Sequence, residues 1–80
     1  MTAREMFEEL GYEQTHNNDS FIIYQKNVEL ANIWFIFNKT IGYFHKVSYI
    51  GGNYLIDTYL DIYKNEVKAL VKQLEELGWI

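Results

Sequence analysis

The sequence predicts an α+β fold: an N-terminal helix, an antiparallel β-meander of three to four strands and a C-terminal helix, with both helices on one face of the sheet. Three observations carry this reading. The segment Phe7-Glu8-Glu9-Leu10-Gly11-Tyr12 is nearly repeated as Leu74-Glu75-Glu76-Leu77-Gly78-Trp79. Each copy has the form of a last helical turn stopped by a glycine at C′, with an aromatic folding back onto that turn. Between them, residues 31–38 alternate Ile33, Phe35 and Phe37 with Trp34, Ile36 and Asn38, the period of a strand. Tyr63, Val67, Leu70, Val71, Leu74 and Leu77 then recur at steps of three and four, the period of a helix with one apolar stripe.

Taken in order, residues 2–10 place Met6, Phe7 and Leu10 on one side and Glu5, Glu8 and Glu9 on the other. Thr2 is available as N-cap with Glu5 as its capping-box partner. The polar stretch 13–19 reads as a solvent loop or the frayed entry to a strand. Phe21, Ile22, Ile23 and Tyr24 favour a first strand over residues 20–26. Residues 31–38 form the second strand, apolar on both faces and therefore central. Asn38-Lys39-Thr40 reads as a turn, and residues 41–50 as a third strand carrying Tyr43, Phe44 and Tyr49. Gly51-Gly52 suits a two-residue hairpin loop, which suggests a short fourth strand over residues 53–58. The last helix is expected from about Asp61.

Eighty residues make one domain, and folding should bury roughly 60–65% of the unfolded surface. Aromatics supply 18% of the residues, so the core is expected to rest on a few large rings. The absence of cysteine excludes disulfides and thiolate metal sites. No basic segment leads into an apolar stretch of signal-peptide length, and no apolar run reaches the roughly 18–20 residues of a membrane span. A cytoplasmic protein is the expectation. The formal charge of −4 and a single arginine, Arg4, argue against a phosphate-dominated partner.

Catalytic and cofactor motifs are weak. His16 and His45 are far apart and have no clustered co-ligands, so no metal is expected. Ser20 and Ser48 lack a glycine elbow or neighbouring base, and Gly51-Gly52-Asn53 is too short to cradle phosphate. The acidic Glu5, Glu8, Glu9 and Glu13 have the spacing of a solvated helix face. One charge pattern stands out: Lys64, Lys68 and Lys72 follow at steps of four, a row on the second helix, with Glu5 and Glu9 a matching acidic row on the first. Neighbouring helices could set these rows near each other or near solvent; alternatively the lysines form a contact for nucleic acid or an acidic protein.

The opening Ala3-Arg4-Glu5-Met6-Phe7-Glu8-Glu9-Leu10-Gly11-Tyr12 and the closing Lys68-Ala69-Leu70-Val71-Lys72-Gln73-Leu74-Glu75-Glu76-Leu77-Gly78-Trp79 resemble a family of small, uncharacterised proteins of Gram-positive bacteria, their phages and prophages. The resemblance covers about a quarter of the chain, in helix-ending patterns. It implies a short cytoplasmic protein carried in phage gene clusters and transfers no activity or binding residue. The middle, residues 27–63, departs from the family pattern in its aromatic content and its Gly51-Gly52 turn.

Together these readings give a non-enzymatic, phage- or prophage-associated accessory protein that works by protein–protein interaction, including self-association as a possible homodimer. No cofactor or small-molecule ligand is implied. The expected contact is an open aromatic sheet face around Trp34, Ile36 and Phe44, or the face holding Phe35 and Phe37, because a helix-free apolar face is a surface monomers rarely leave exposed. The alternative is a nucleic-acid-associated regulator using Lys64, Lys68 and Lys72.

Overall fold

A computed structural model describes residues 1–29, 31–50 and 60–80. It has the expected α+β order: helix α1 (Ala3–Glu9), strands β1 (Glu13–Asn17), β2 (Phe21–Val28), β3 (Ala31–Asn38) and β4 (Tyr43–Ile50), then helix α2 (Val67–Glu76). The four strands form one antiparallel sheet in the order β1-β2-β3-β4, each beside its sequence neighbour.

Helix α1 begins with the expected capping box. Thr2 Oγ1 accepts from the Glu5 N–H at 3.1 Å, and Glu5 Oε1 accepts from the Thr2 N–H at 2.9 Å. The hydrogen bonds from the Thr2 backbone and hydroxyl hold the Glu5 carboxyl below the usual carboxylate range. Both helices end alike. Tyr12 N–H donates to the Phe7 carbonyl (3.0 Å) and Gly11 N–H to that of Glu8 (3.0 Å); Trp79 N–H donates to Leu74 (2.9 Å) and Gly78 N–H to Glu75 (3.0 Å). Gly11 and Gly78 have φ of 93° and 75°, the left-handed conformation this double closure requires.

Two expectations change. Residues 13–17, read as a loop or a frayed entry, form a full edge strand. The polar side chains that suggested a loop are tolerated because an edge strand needs only one hydrogen-bonded neighbour and here lies largely exposed. A register shift between Gln14 and His16 interrupts its pairing, and such a bulge guards an edge in a chain without proline. Helix α2 starts at Val67 rather than near Asp61, and residues 64–66 form a turn, so Tyr63 lies outside the helix. The proposed strand at 53–58 and its Gly51-Gly52 turn lie outside the described residues.

Alternation along β2, β3 and β4 sorts their side chains onto two faces. Ile22 pairs with Phe37 and Phe37 with Phe44; Tyr24 pairs with Phe35 and Phe35 with Lys46. This face packs under the helices in one cluster with Phe7, Tyr12, Ala69 and Leu70. At its centre the Phe7 ring stacks on Tyr24 at 4.1 Å and tilts against Phe35 at 5.2 Å. The other face carries the rows Ile23, Ile36, His45 and Gln25, Trp34, Val47.

Candidate functional site

The six residues singled out by sequence do not form one surface. Trp34 and Ile36 lie on the face away from the helices, where both are half-buried, and their neighbours Ile23 and Val47 are buried. Phe44 belongs to the opposite face, stacked on Phe37 at 5.8 Å. The expected patch of Trp34, Ile36 and Phe44 is therefore corrected: one residue on β4 was assigned to the wrong face, because both faces of that strand carry rings and the period alone does not choose between them. Phe35 and Phe37, the second option, are fully buried and available to nothing outside the core.

Phe44 instead helps build a cleft at the end of the molecule. Gly42, Tyr43, Phe44, Leu74, Trp79 and Ile80 line an open space of about 600 Å³. Its walls follow from local structure. Asn38 ends β3 by accepting from the N–H groups of Thr40 (3.0 Å) and Ile41 (2.9 Å) through Oδ1, while Gly42, at φ 85°, donates to the Asn38 carbonyl at 2.9 Å. That turn delivers Tyr43 and Phe44 to one wall. The double closure after α2 folds Trp79 back beside Leu74 and forms the other. Ile41 and Ile80, 72% and 70% exposed, extend the apolar character outward from the cleft.

Of the lysine row, Lys68 and Lys72 stand on α2 while Lys64 stands in the turn before it, so the three are not a single helical row as expected. The turn is held because Glu66, three residues after Tyr63, accepts the Tyr63 N–H at 3.0 Å. Lys64 and Lys68 are exposed and Lys72 is half-buried. Lys68 and Glu9 line the same groove between the helices with Met6, Leu10 and Asn65, which places one member of each row side by side. Among the described residues none of the three lysines has an ion pair.

Sequence reasoning missed the molecule's one buried ion pair among the described residues. Lys46 Nζ lies 2.8 Å from Glu66 Oε1 with both side chains almost fully enclosed, and it also donates to the Asp61 carbonyl at 2.9 Å. Tyr12 donates to the other Glu66 oxygen at 2.7 Å. The Lys46 ammonium sits 4.4 Å from the centre of the Tyr63 ring and 5.6 Å from that of Phe35. Burial pushes the Glu66 carboxyl up, but the hydrogen bonds from Lys46, the Tyr63 N–H and Tyr12, with the Lys46 charge, outweigh it and hold the group below the usual range. Burial and the Glu66 carboxylate push the Tyr12 hydroxyl up. Lys46, Glu66 and Tyr12 are buried and hydrogen-bonded to one another or to the exposed segment 61–63, so the cluster ties the strand, the segment before α2 and the first helix end together.

Tyr24 is held in a similar manner, donating to Gln73 Oε1 of α2 and accepting from Gln14 Nε2 at 3.3 Å. Burial pushes its hydroxyl up to about 12, against the lowering effect of the Gln14 hydrogen bond. His45 stacks on Tyr43 at 5.4 Å, and His16 stands exposed on β1. No group of three or more histidine, aspartate or glutamate side chains could hold a metal among the described residues. No helix among them is long and apolar enough to cross a membrane. Compared with protein-family models, curated proteins and solved structures, the chain matches none.

Proposed function

We propose that this chain is a non-enzymatic accessory protein, phage- or prophage-associated as its helix ends suggest, that works by binding another protein. The cleft lined by Tyr43, Phe44, Leu74, Trp79 and Ile80 is its contact site, and that cleft is the observation that carries the reading. Aromatic rings grouped in a concavity are the commonest anchors of small interfaces, since they bury much area at little rotamer cost. Exposed Ile80 in the lining, and exposed Ile41 next in the chain to Gly42 of that lining, add apolar surface of the type that marks interaction sites. Among the described residues the side chains of the lining are mostly apolar, which suits the burial of an apolar anchor.

Selection of displayed random peptides on the immobilised protein tests this. Peptides with aromatic or aliphatic anchors should be enriched, should shift the Trp79 indole N–H resonance, and should bind Phe44→Ala and Trp79→Ala at least about tenfold more weakly. Enrichment that survives both substitutions, or none at all on the folded protein, would overturn the assignment. Binding of DNA or RNA that falls steeply with salt and is lost in a Lys64/Lys68/Lys72→Glu triple variant would favour the nucleic-acid reading instead.

A further inference from the structure

Away from the cleft, the outer surface of the two helices has a division of charge that its own two-fold copy would complement. The helices lie side by side and antiparallel: Ala3 N–H donates to Glu76 Oε2 at 2.8 Å at one end, and Glu9 and Leu10 share a groove with Asn65, Lys68 and Ala69 at the other. Helix α1 turns Glu5, Glu8 and Glu9 to solvent, Glu5 accepting from Thr2 and Glu8 lying 3.7 Å from Arg4 in an exposed pair that adds little, so that the helix surface stays net acidic. Helix α2 and its leading turn present Lys64, Lys68 and Lys72, none of which has an ion pair among the described residues. Along the seam, Met6, Val67, Val71 and the stems of Lys68 and Lys72 line a largely apolar trough of about 310 Å³, with Glu75 at its rim as an acidic residue on the helix that carries these lysines, and with Val67 and Val71 left 44% and 37% exposed.

We propose that this face is a self-association surface whose occupant is a second copy of the same chain. A half-turn about an axis along the seam lays the α1 of one copy over the α2 of the other, and the same operation repeats the contact in reverse. Glu8 and Glu9 of each copy then face Lys64 and Lys68 of the other, Glu5 faces Lys72, and Met6 and Val71 close the centre. A uniformly basic groove would call for an unrelated acidic partner; an acidic strip beside a basic one on the same face is what an isologous contact needs. The face is small, built on helices of 7 and 10 residues, so the dimer is a weak and salt-sensitive one.

Sedimentation equilibrium with a reciprocal charge swap tests this. The wild type should dimerise, with a dissociation constant rising about tenfold between low salt and roughly 0.5 M salt. Lys64→Glu/Lys68→Glu and Glu8→Lys/Glu9→Lys, all at exposed positions, should each be monomeric alone and form a heterodimer when mixed. Val71→Asp should weaken the wild-type dimer without touching either charged strip. Phe44→Ala should leave dimerisation unchanged, which separates this surface from the cleft. A wild type that stays monomeric, a dimer indifferent to both swaps, or swapped chains that fail to pair would each overturn the proposal.

Discussion

Tyr12 and Trp79 each follow a glycine that closes a helix with the same two hydrogen bonds, yet the two rings have different surroundings. Tyr12 is 3% exposed, meets Phe7 edge-on at 5.7 Å and Phe35 at 5.4 Å, and donates to the buried Glu66 carboxylate. Trp79 packs on the margin of the core and lines the open cleft. One local motif thus serves packing at one end of the molecule and presents a ring at the other. The difference comes from what the sheet and the neighbouring segment place opposite each end: at the first, Phe7, Phe35, Glu66 and the Lys26 ammonium surround the aromatic; at the second, Trp79 shares an open cleft with Gly42, Tyr43 and Phe44.

The largest expected effects lie at the first end. Phe7→Ala or Tyr12→Ala should lower unfolding free energy by about 3–5 kcal/mol in urea titration, as fully buried rings do. Lys46→Met should cost a similar amount, about 3–5 kcal/mol, because it leaves the Glu66 carboxylate buried without its cation. Trp79→Ala, which removes a half-buried ring, should cost about 2 kcal/mol or less. Equal losses for Tyr12→Ala and Trp79→Ala would break the comparison.

Acid sharpens the contrast. Glu66 has a folded-state pKa below its unfolded value of 4.5, so its stabilisation is fully present above that value and is lost as pH falls through the depressed one. Urea midpoints measured from neutral pH down to roughly pH 3 should therefore fall for the wild type. In Lys46→Met, which lacks the ammonium that holds the carboxylate ionised, the fall should be smaller.

Backbone substitutions come next in size, and here the two ends should agree. Gly11→Ala and Gly78→Ala should each cost about 1–2 kcal/mol, since both residues hold positive φ. A Cβ on Gly11 would also come 3.4 Å from Lys26 Cε, an ordinary contact that adds little. The smallest effect falls at the helix starts. Thr2→Ala should lower stability by about 1 kcal/mol through loss of the capping box, measurable by thermal unfolding. Helix α2 has no side-chain cap to lose, because the residue at that position, Glu66, turns its carboxylate to Lys46 and the Tyr63 N–H.

These contrasts also mark how much of the molecule was legible in its sequence. Helix ends were legible, since a glycine at C′ and a Thr-x-x-Glu start act within a few residues and depend on nothing distant. Strands β2 and β3 were legible from β-branched and aromatic content, and the α+β order followed. The edge strand Glu13–Asn17 was not, because its strand character comes from pairing with β2 rather than from its own polar side chains. The face of Phe44 was hidden for a related reason: register is a pairwise property, and Phe44 joins the core face only through its pairing with Phe37. Lys46 and Glu66, 20 residues apart, carried no local signal of their contact. The cleft combines a turn before β4 with the end of α2, so only Trp79's position after Gly78 hinted at one wall.

The most direct test of the account is a titration of Trp79→Ala with a peptide selected on the wild type, run alongside its urea unfolding. The account predicts a variant that folds, stays within about 2 kcal/mol of wild-type stability and binds the peptide at least about tenfold more weakly. A variant that binds as tightly as the wild type, or one as destabilised as Tyr12→Ala, would contradict the division between a helix end that holds the core and one that presents a binding ring.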